Sequence, residues 1–207
     1  LKWFTLAAEQ GHAQAQTNLG VLYAGDEAVP ENDQTAAQWF ILAAEQGNVD
    51  AQSNLGQMYL TGDGVPQSYQ AAAEYFTKAA EQGHVEAQYN LGVAYSEGYG
   101  VLNNHNTATL WYTLAAEQGH ARAQYDLGYL YQGKEGVPKN YEAVVKWYTQ
   151  AAEQGNTHAQ NGLGVIYSLG EDITQSYELA VYWHTKAAEQ GDATSQYDLG
   201  KMYSGDA

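Results

Sequence analysis

Cysteine is absent from the 207 residues, so neither a disulfide framework nor a thiolate metal site can form, and the redox compartment stays open. Positive charge is scarce. Eight Lys and Arg stand against 24 Asp and Glu, for a net charge of −16. Such a surface repels polyanions, which argues against nucleic acid and anionic membranes as partners. No apolar run approaches the ~18 residues needed to cross a bilayer, so direct membrane insertion is not expected, and the start of the chain has no signal-peptide pattern.

Chemical signatures are missing as well. There is no G-x-S-x-G, no H-E-x-x-H and no EF-hand loop. Turns such as Gly62-Asp63-Gly64 have neither a preceding strand nor a following Lys-Ser/Thr, so they are loop closures and not phosphate cradles. The histidines are His12, His84, His105, His120, His158 and His184, no two within four residues of each other. Neighbouring helices lie about 8–10 Å apart, too far for rings on equivalent positions to share a zinc ion unaided. His12, His84 and His120 therefore read as helix caps, and His184 as a core residue. These absences lead us to expect no enzymatic activity, no cofactor and no metal.

What the chain does contain is repetition. Ala-Ala-Glu-Gln-Gly occurs six times, starting at residues 7, 43, 79, 115, 151 and 187, a period of 36. A period of this size marks stacked supersecondary units. Composition agrees, because 44% hydrophobic residues and 18 tyrosines are too rich in packing groups for a disordered chain.

Residues 48–83 serve as the type unit. Gly47 closes a helix in the left-handed conformation, and Asn48 caps the next, predicted over 49–61. On a 100° wheel Ala51, Leu55 and Tyr59 share one face, and Leu and Tyr recur there in every copy. A glycine beside that face (Gly20, Gly56, Gly92, Gly128, Gly164, Gly200) costs about 1 kcal/mol against Ala, which implies another helix passing close by. After a glycine-rich turn, Asn32, Ser68, Asn104, Asn140 or Ser176 caps a second helix. Its inner face carries Ala72, Tyr75, Phe76, Ala79 and Ala80, with Trp in the Tyr75 position of the other copies. Two antiparallel helices repeated about six times make an all-α, α/α-solenoid (superhelix).

The string W-Y/F-x-x-A-A-E-Q-G-(H/N)-x-x-A-Q-x-N-L-G-x-x-Y-x-x-G-x-G-V-P resembles the Sel1-like repeat, a relative of the tetratricopeptide repeat. It covers essentially the whole chain. Departures are His184 for Phe/Tyr, Leu102 and Thr174 for the turn Pro, and Asp172 for a turn Gly. Residues 1–207 read as a single repeat array that begins in mid-repeat, truncated at both ends. Uncovered apolar ends then predict end-to-end self-association. The resemblance implies a non-catalytic adaptor, and a bacterial periplasmic or secreted setting with a cytoplasmic one left open.

Repetition also separates positions the stack requires from positions it leaves free. The variable residues of the first helix are Asp50, Ser53, Gln57, Leu60 and Thr61, a stripe opposite the Leu/Tyr face with Asn54 at its edge. By resemblance to tetratricopeptide proteins this stripe lines the concave surface. Its central part is tyrosine-rich: Tyr89, Tyr125 and Tyr129, flanked by Glu86, Arg122 and Asp126. Tyrosine offers large apolar area with a polar tip, which suits protein recognition. Gln57 and Val93 stand on the same stripe. The row Asn18, Asn54, Asn90, Asp126, Asp198, broken by Gly162, either bonds an extended peptide or bonds the next repeat. The glutamate of each motif reads as a solvated outer face. The expected function is binding of a protein or peptide partner in the concave groove; the alternatives are a structural spacer and a carbohydrate- or small-ligand-binding solenoid.

Overall fold

The computed structural model describes residues 1–25, 32–170 and 172–204. Among them it contains twelve helices and no strand. In order they are α1 (Lys2–Glu9), α2 (Ala13–Tyr23), α3 (Asp33–Glu45), α4 (Val49–Thr61), α5 (Tyr69–Glu81) and α6 (Val85–Glu97). These are followed by α7 (His105–Glu117), α8 (Ala121–Leu130), α9 (Tyr141–Glu153), α10 (Thr157–Leu169), α11 (Tyr177–Glu189) and α12 (Ala193–Ser204). They form two compact units, Leu1–Trp111 and Tyr112–Ala207. Consecutive helices pack together from α1 to α6 and from α8 to α12, and α2 also meets α4, as α10 meets α12.

The helix ends form where the capping residues predict. The side chains of Asn48, Ser68, Asn140, Asn156 and Ser176 each accept a hydrogen bond from the backbone N–H three residues on. His12, His84 and His120 do the same through Nδ1. Each cap satisfies one of the four donors that a helix N-terminus leaves unpaired. At the turns, Gly64 and Gly100 take φ of 68° and 71°, and Asp172, which replaces glycine at the equivalent place, adopts φ 59°. Aspartate tolerates this left-handed region better than most residues, and Asp172 reaches Lys139 Nζ at 2.6 Å. The turn geometry therefore survives the replacement.

Inside each repeat the core is a run of alanines against one leucine and one ring. Ala36, Ala43, Ala51 and Leu55 are fully buried around Phe40, and Ala72, Ala79, Ala87 and Leu91 around Phe76. The helical glycines face that ring and not the backbone of another helix. A Cβ on Gly20 would sit 2.5 Å from Phe40, on Gly56 2.7 Å from Phe76, on Gly128 2.5 Å from Tyr148 and on Gly164 2.6 Å from His184. Gly200 has nothing within 4 Å, so at that copy the expected close neighbour is absent. His184 is 1% exposed and takes the place of the Phe or Tyr ring as a core residue.

The invariant glutamines have a purpose that periodicity did not reveal. Gln16, Gln52, Gln124 and Gln160 are buried. Each donates through Nε2 to the carbonyl of Ala8, Ala44, Ala116 or Ala152 at 3.0–3.3 Å. Each also accepts through Oε1 from Gln46, Gln82, Gln154 or Gln190 at 2.7–2.8 Å. One side chain thus ties three helices and leaves no buried polar group unpaired. The motif glutamates, by contrast, are exposed in every copy.

One part of the variable stripe turns inward. Ser53 and its equivalent Thr17 are buried, and at Thr17 the first helix of the following repeat, α4, packs against α2. The stripe is therefore narrower than the wheel suggests. Among the described residues no helix is long and apolar enough to cross a membrane.

Candidate functional site

A cleft recurs at one place in the repeat. Its floor is the ring carried by a second helix, and its walls are the first helices before and after it. In the N-terminal unit one cleft of about 430 Å³ has Phe40 as floor, Val21 of α2 on one side, and Asn54 and Gln57 of α4 on the other. The next, about 70 Å³, has Phe76 as floor, Leu60 of α4 on one side, and Asn90 and Val93 of α6 on the other. In the C-terminal unit a cleft of about 340 Å³ has Tyr148 as floor, Tyr125 and Tyr129 of α8 on one side, and Gly162 and Val165 of α10 on the other. Its neighbour, about 310 Å³, uses His184 as floor, with Val165 of α10 opposite Asp198 and Lys201 of α12.

Each cleft repeats one geometry with different chemistry. The floor sequence is Phe40, Phe76, Tyr148, His184; the first wall position is Asn54, Asn90, Gly162, Asp198; the second is Gln57, Val93, Val165, Lys201. The result is a polar cleft, a small apolar one, a tyrosine-lined one and a charged one. The Asn54 and Asn90 amides are half-buried and make no hydrogen bond to protein among the described residues. Of the two readings of the asparagine row, bonding the next repeat therefore fails at these two copies.

The tyrosine cleft is the most elaborated. Tyr125 stacks on Tyr148 with ring centres 5.3 Å apart and planes 15° from parallel. The His158 ring is tilted 37° to that of Tyr125, with centres 5.8 Å apart. Gln132 Nε2 donates to the Tyr148 hydroxyl at 2.7 Å. Burial pushes the Tyr148 phenol far above the usual tyrosine range, helped by its phenolic neighbours and Asp126. It pushes Tyr125 up as well, with Asp126 and Tyr129 adding to the effect. Both therefore remain neutral hydrogen-bonding groups at any physiological pH. Lys134 Nζ lies 4.1 Å from the Tyr129 ring centre, and Lys139 Nζ 4.6 Å from that of Tyr141, which also lines the cleft.

Of the residues singled out from sequence, Asn54, Gln57, Asn90, Val93, Tyr125 and Tyr129 line these clefts. Asp126 is half-buried beside Tyr125. Glu86 and Arg122 are exposed outside the clefts, and Tyr89 is half-buried outside them. Sequence reasoning did not find Gln132, Tyr141 or Tyr148. The break in the asparagine row at Gly162 was the available signal. A Cβ there would meet Tyr148 Cε2 at 2.7 Å, so the glycine makes room for that ring.

Comparison with known proteins gives a consistent result. The Sel1 repeat family model matches residues 1–12, 13–48, 49–84, 85–120, 121–156 and 157–192. A protective antigen of uropathogenic Escherichia coli with an SLR fold is 38% identical and superposes with a TM-score of 0.92 over 98% of this chain. That match spans 44% of the antigen's own chain, so this sequence is less than half its length. A Sel1 repeat protein of Oxalobacter formigenes is 36% identical over 94% of this chain and 77% of its own, with a TM-score of 0.82. A putative Sel1 repeat protein of Klebsiella pneumoniae, 21% identical over 97% of this chain and 98% of its own with a TM-score of 0.57, shares the fold. The comparison with curated proteins found no match.

Proposed function

The chain belongs to the Sel1-repeat family, and from that premise we propose that it is a non-catalytic scaffold that binds a protein or peptide segment along the first-helix face, the face expected to be concave. Sel1 repeats generally mediate protein interactions, and the α/α-solenoid fold is shared with the solved relatives. The observation that carries the proposal is the cleft that recurs with its walls at the variable positions. A spacer has no use for clefts that change chemistry from one copy to the next while the Ala/Leu/Gln frame stays constant.

Each cleft accepts one side chain of the partner. Neighbouring helices stand about 8–10 Å apart, and an extended chain advances about 3.3 Å per residue. Partner residues about three apart can therefore enter successive clefts of one unit. Free amides such as Asn54 and Asn90 supply hydrogen bonds to the partner's backbone, and the rings supply the apolar contact.

The test is capture of partners from source-cell extract on the immobilised chain, beside a Tyr125→Ala/Tyr129→Ala variant and a Glu45→Ala/Glu81→Ala variant. Photo-crosslinking from Val93 and from Glu81 locates the contact. Loss of a bound protein with the first variant only, crosslinked at Val93, supports the proposal. Loss with the glutamate variant moves the site to the outer face, and absence of any retained protein favours the spacer.

A further inference from the structure

The tyrosine cleft departs from its counterparts in two positions at once. Tyr148 stands where the N-terminal unit has Phe40 and Phe76, and Gly162 stands where the other copies have Asn or Asp. The two are sterically coupled, since the Tyr148 ring lies where a Gly162 Cβ would be. The exchange removes a polar amide from the wall and brings a hydroxyl to the floor. Tyr148 is 2% exposed, and its oxygen accepts from Gln132. Its proton has no acceptor among the described residues, so a buried donor is left over at the cleft.

One cation stands beside the same place. Of the basic residues between 122 and 146, Arg122 is exposed outside the clefts and Lys146 lies over the Trp147 ring. Lys139 is paired with Asp172, while Lys134 lies over the Tyr129 ring at the cleft wall. The rest of the lining joins apolar Val165, Ile166 and Leu169 to polar Gln132, His158 and Asn161. At about 340 Å³ the cleft is at the small end of ligand sites, which run from about 300 to 1,000 Å³. That volume suits one or two side chains. An occupant must therefore bring an apolar body, an acceptor for the phenol proton, and negative charge.

We propose that the Tyr148–Gly162 cleft binds a peptide segment in which an acidic side chain neighbours an apolar or aromatic one, its carboxylate meeting the Tyr148 hydroxyl and Lys134. This rests on the scaffold reading above and names the chemistry of the partner.

Selection of a random peptide library on the immobilised chain tests this, followed by fluorescence anisotropy with the strongest selected peptide. The expected enrichment is Asp or Glu adjacent to Phe, Tyr, Trp, Leu or Ile. The variant Tyr148→Phe keeps the ring against Gly162 and removes only the hydroxyl, so it should fold, as circular dichroism would verify. It removes a hydrogen bond to a charged group, for an affinity loss of about tenfold or more. Lys134→Glu is an independent arm with a loss of about the same size that shrinks at high salt. Enrichment of basic peptides overturns the proposal. Binding of acidic peptides that both variants leave unchanged also overturns it, with the scaffold reading intact. If the chain selects no peptide at all, both fall.

Discussion

Gly56 and Gly200 occupy the same position of the repeat, yet replacing them with Ala should have opposite effects. Helix propensity alone favours Ala at both by about 1 kcal/mol. At Gly56 the new Cβ would lie 2.7 Å and 2.8 Å from two ring carbons of Phe76, which is itself 2% exposed. A sealed ring cannot swing away, and overpacking of this kind costs about 1–3 kcal/mol. The net expectation for Gly56→Ala is a loss of up to about 2 kcal/mol, or as much as roughly 4–8 °C in melting temperature for a chain of this size. At Gly200 nothing lies within 4 Å, so propensity acts unopposed and Gly200→Ala gains about 0.5–1 kcal/mol. Urea unfolding followed by circular dichroism measures the first, and hydrogen exchange of the α12 amides measures the second as slowing of about twofold to fivefold. Shrinking the ring in Gly56→Ala/Phe76→Leu should recover part of the loss, giving a coupling energy of the sign expected for a relieved clash. A stabilising Gly56→Ala, or a destabilising Gly200→Ala, refutes the assignment of the ring as the reason for glycine.

Three further outcomes follow from the packing. Gln160→Ala removes the bonds to the Ala152 carbonyl and from Gln190 and should cost about 1–3 kcal/mol; a cycle with Gln190→Ala should show coupling, and strict additivity would mean the bridge contributes nothing. Burial lowers the His184 pKa below its ordinary 6.5, against the opposing pull of Asp198 and Asp192. The folded state therefore binds fewer protons than the unfolded one, and this contribution is fully present above about pH 6.5 and lost as pH falls through the folded pKa. His184→Phe should flatten the fall in stability between pH 7 and pH 5, and an unchanged slope would exclude His184 as its source. Finally, Trp3 is 78% exposed, with Leu1, Phe4 and Leu6 also at the surface; this 207-residue chain should self-associate at high concentration, and a strict monomer by light scattering would refute that.

The period, the caps and the inner face were legible because each is a local property written six times. An N-cap needs only its own side chain and the next backbone amides, so even the unusual His12, His84 and His120 could be placed from sequence. The Ala/Leu face follows from a 100° wheel, and the exposed glutamates from the same wheel. Where several helices meet, the wheel loses its power. It placed Ser53 on the open stripe, whereas Ser53 and its equivalent Thr17 are buried. It treated the invariant glutamines as part of a motif without showing that they bridge three helices.

The clefts are the clearest case. An angle on one helix locates Asn54, Tyr125 or Tyr129, but a cleft is built from two first helices and the ring that rises between them. The rings at Phe40 and Phe76 were visible only as core residues, and Gly162 only as a gap in a row. Sequence by itself determined the helical hairpin, its period and its family, because those rest on contacts within a repeat and on its copies. Tertiary structure decided which side chains converge, because Tyr148 on α9 meets Gly162 on α10 and Gln132 in the turn after α8, and no single-helix periodicity encodes those distances.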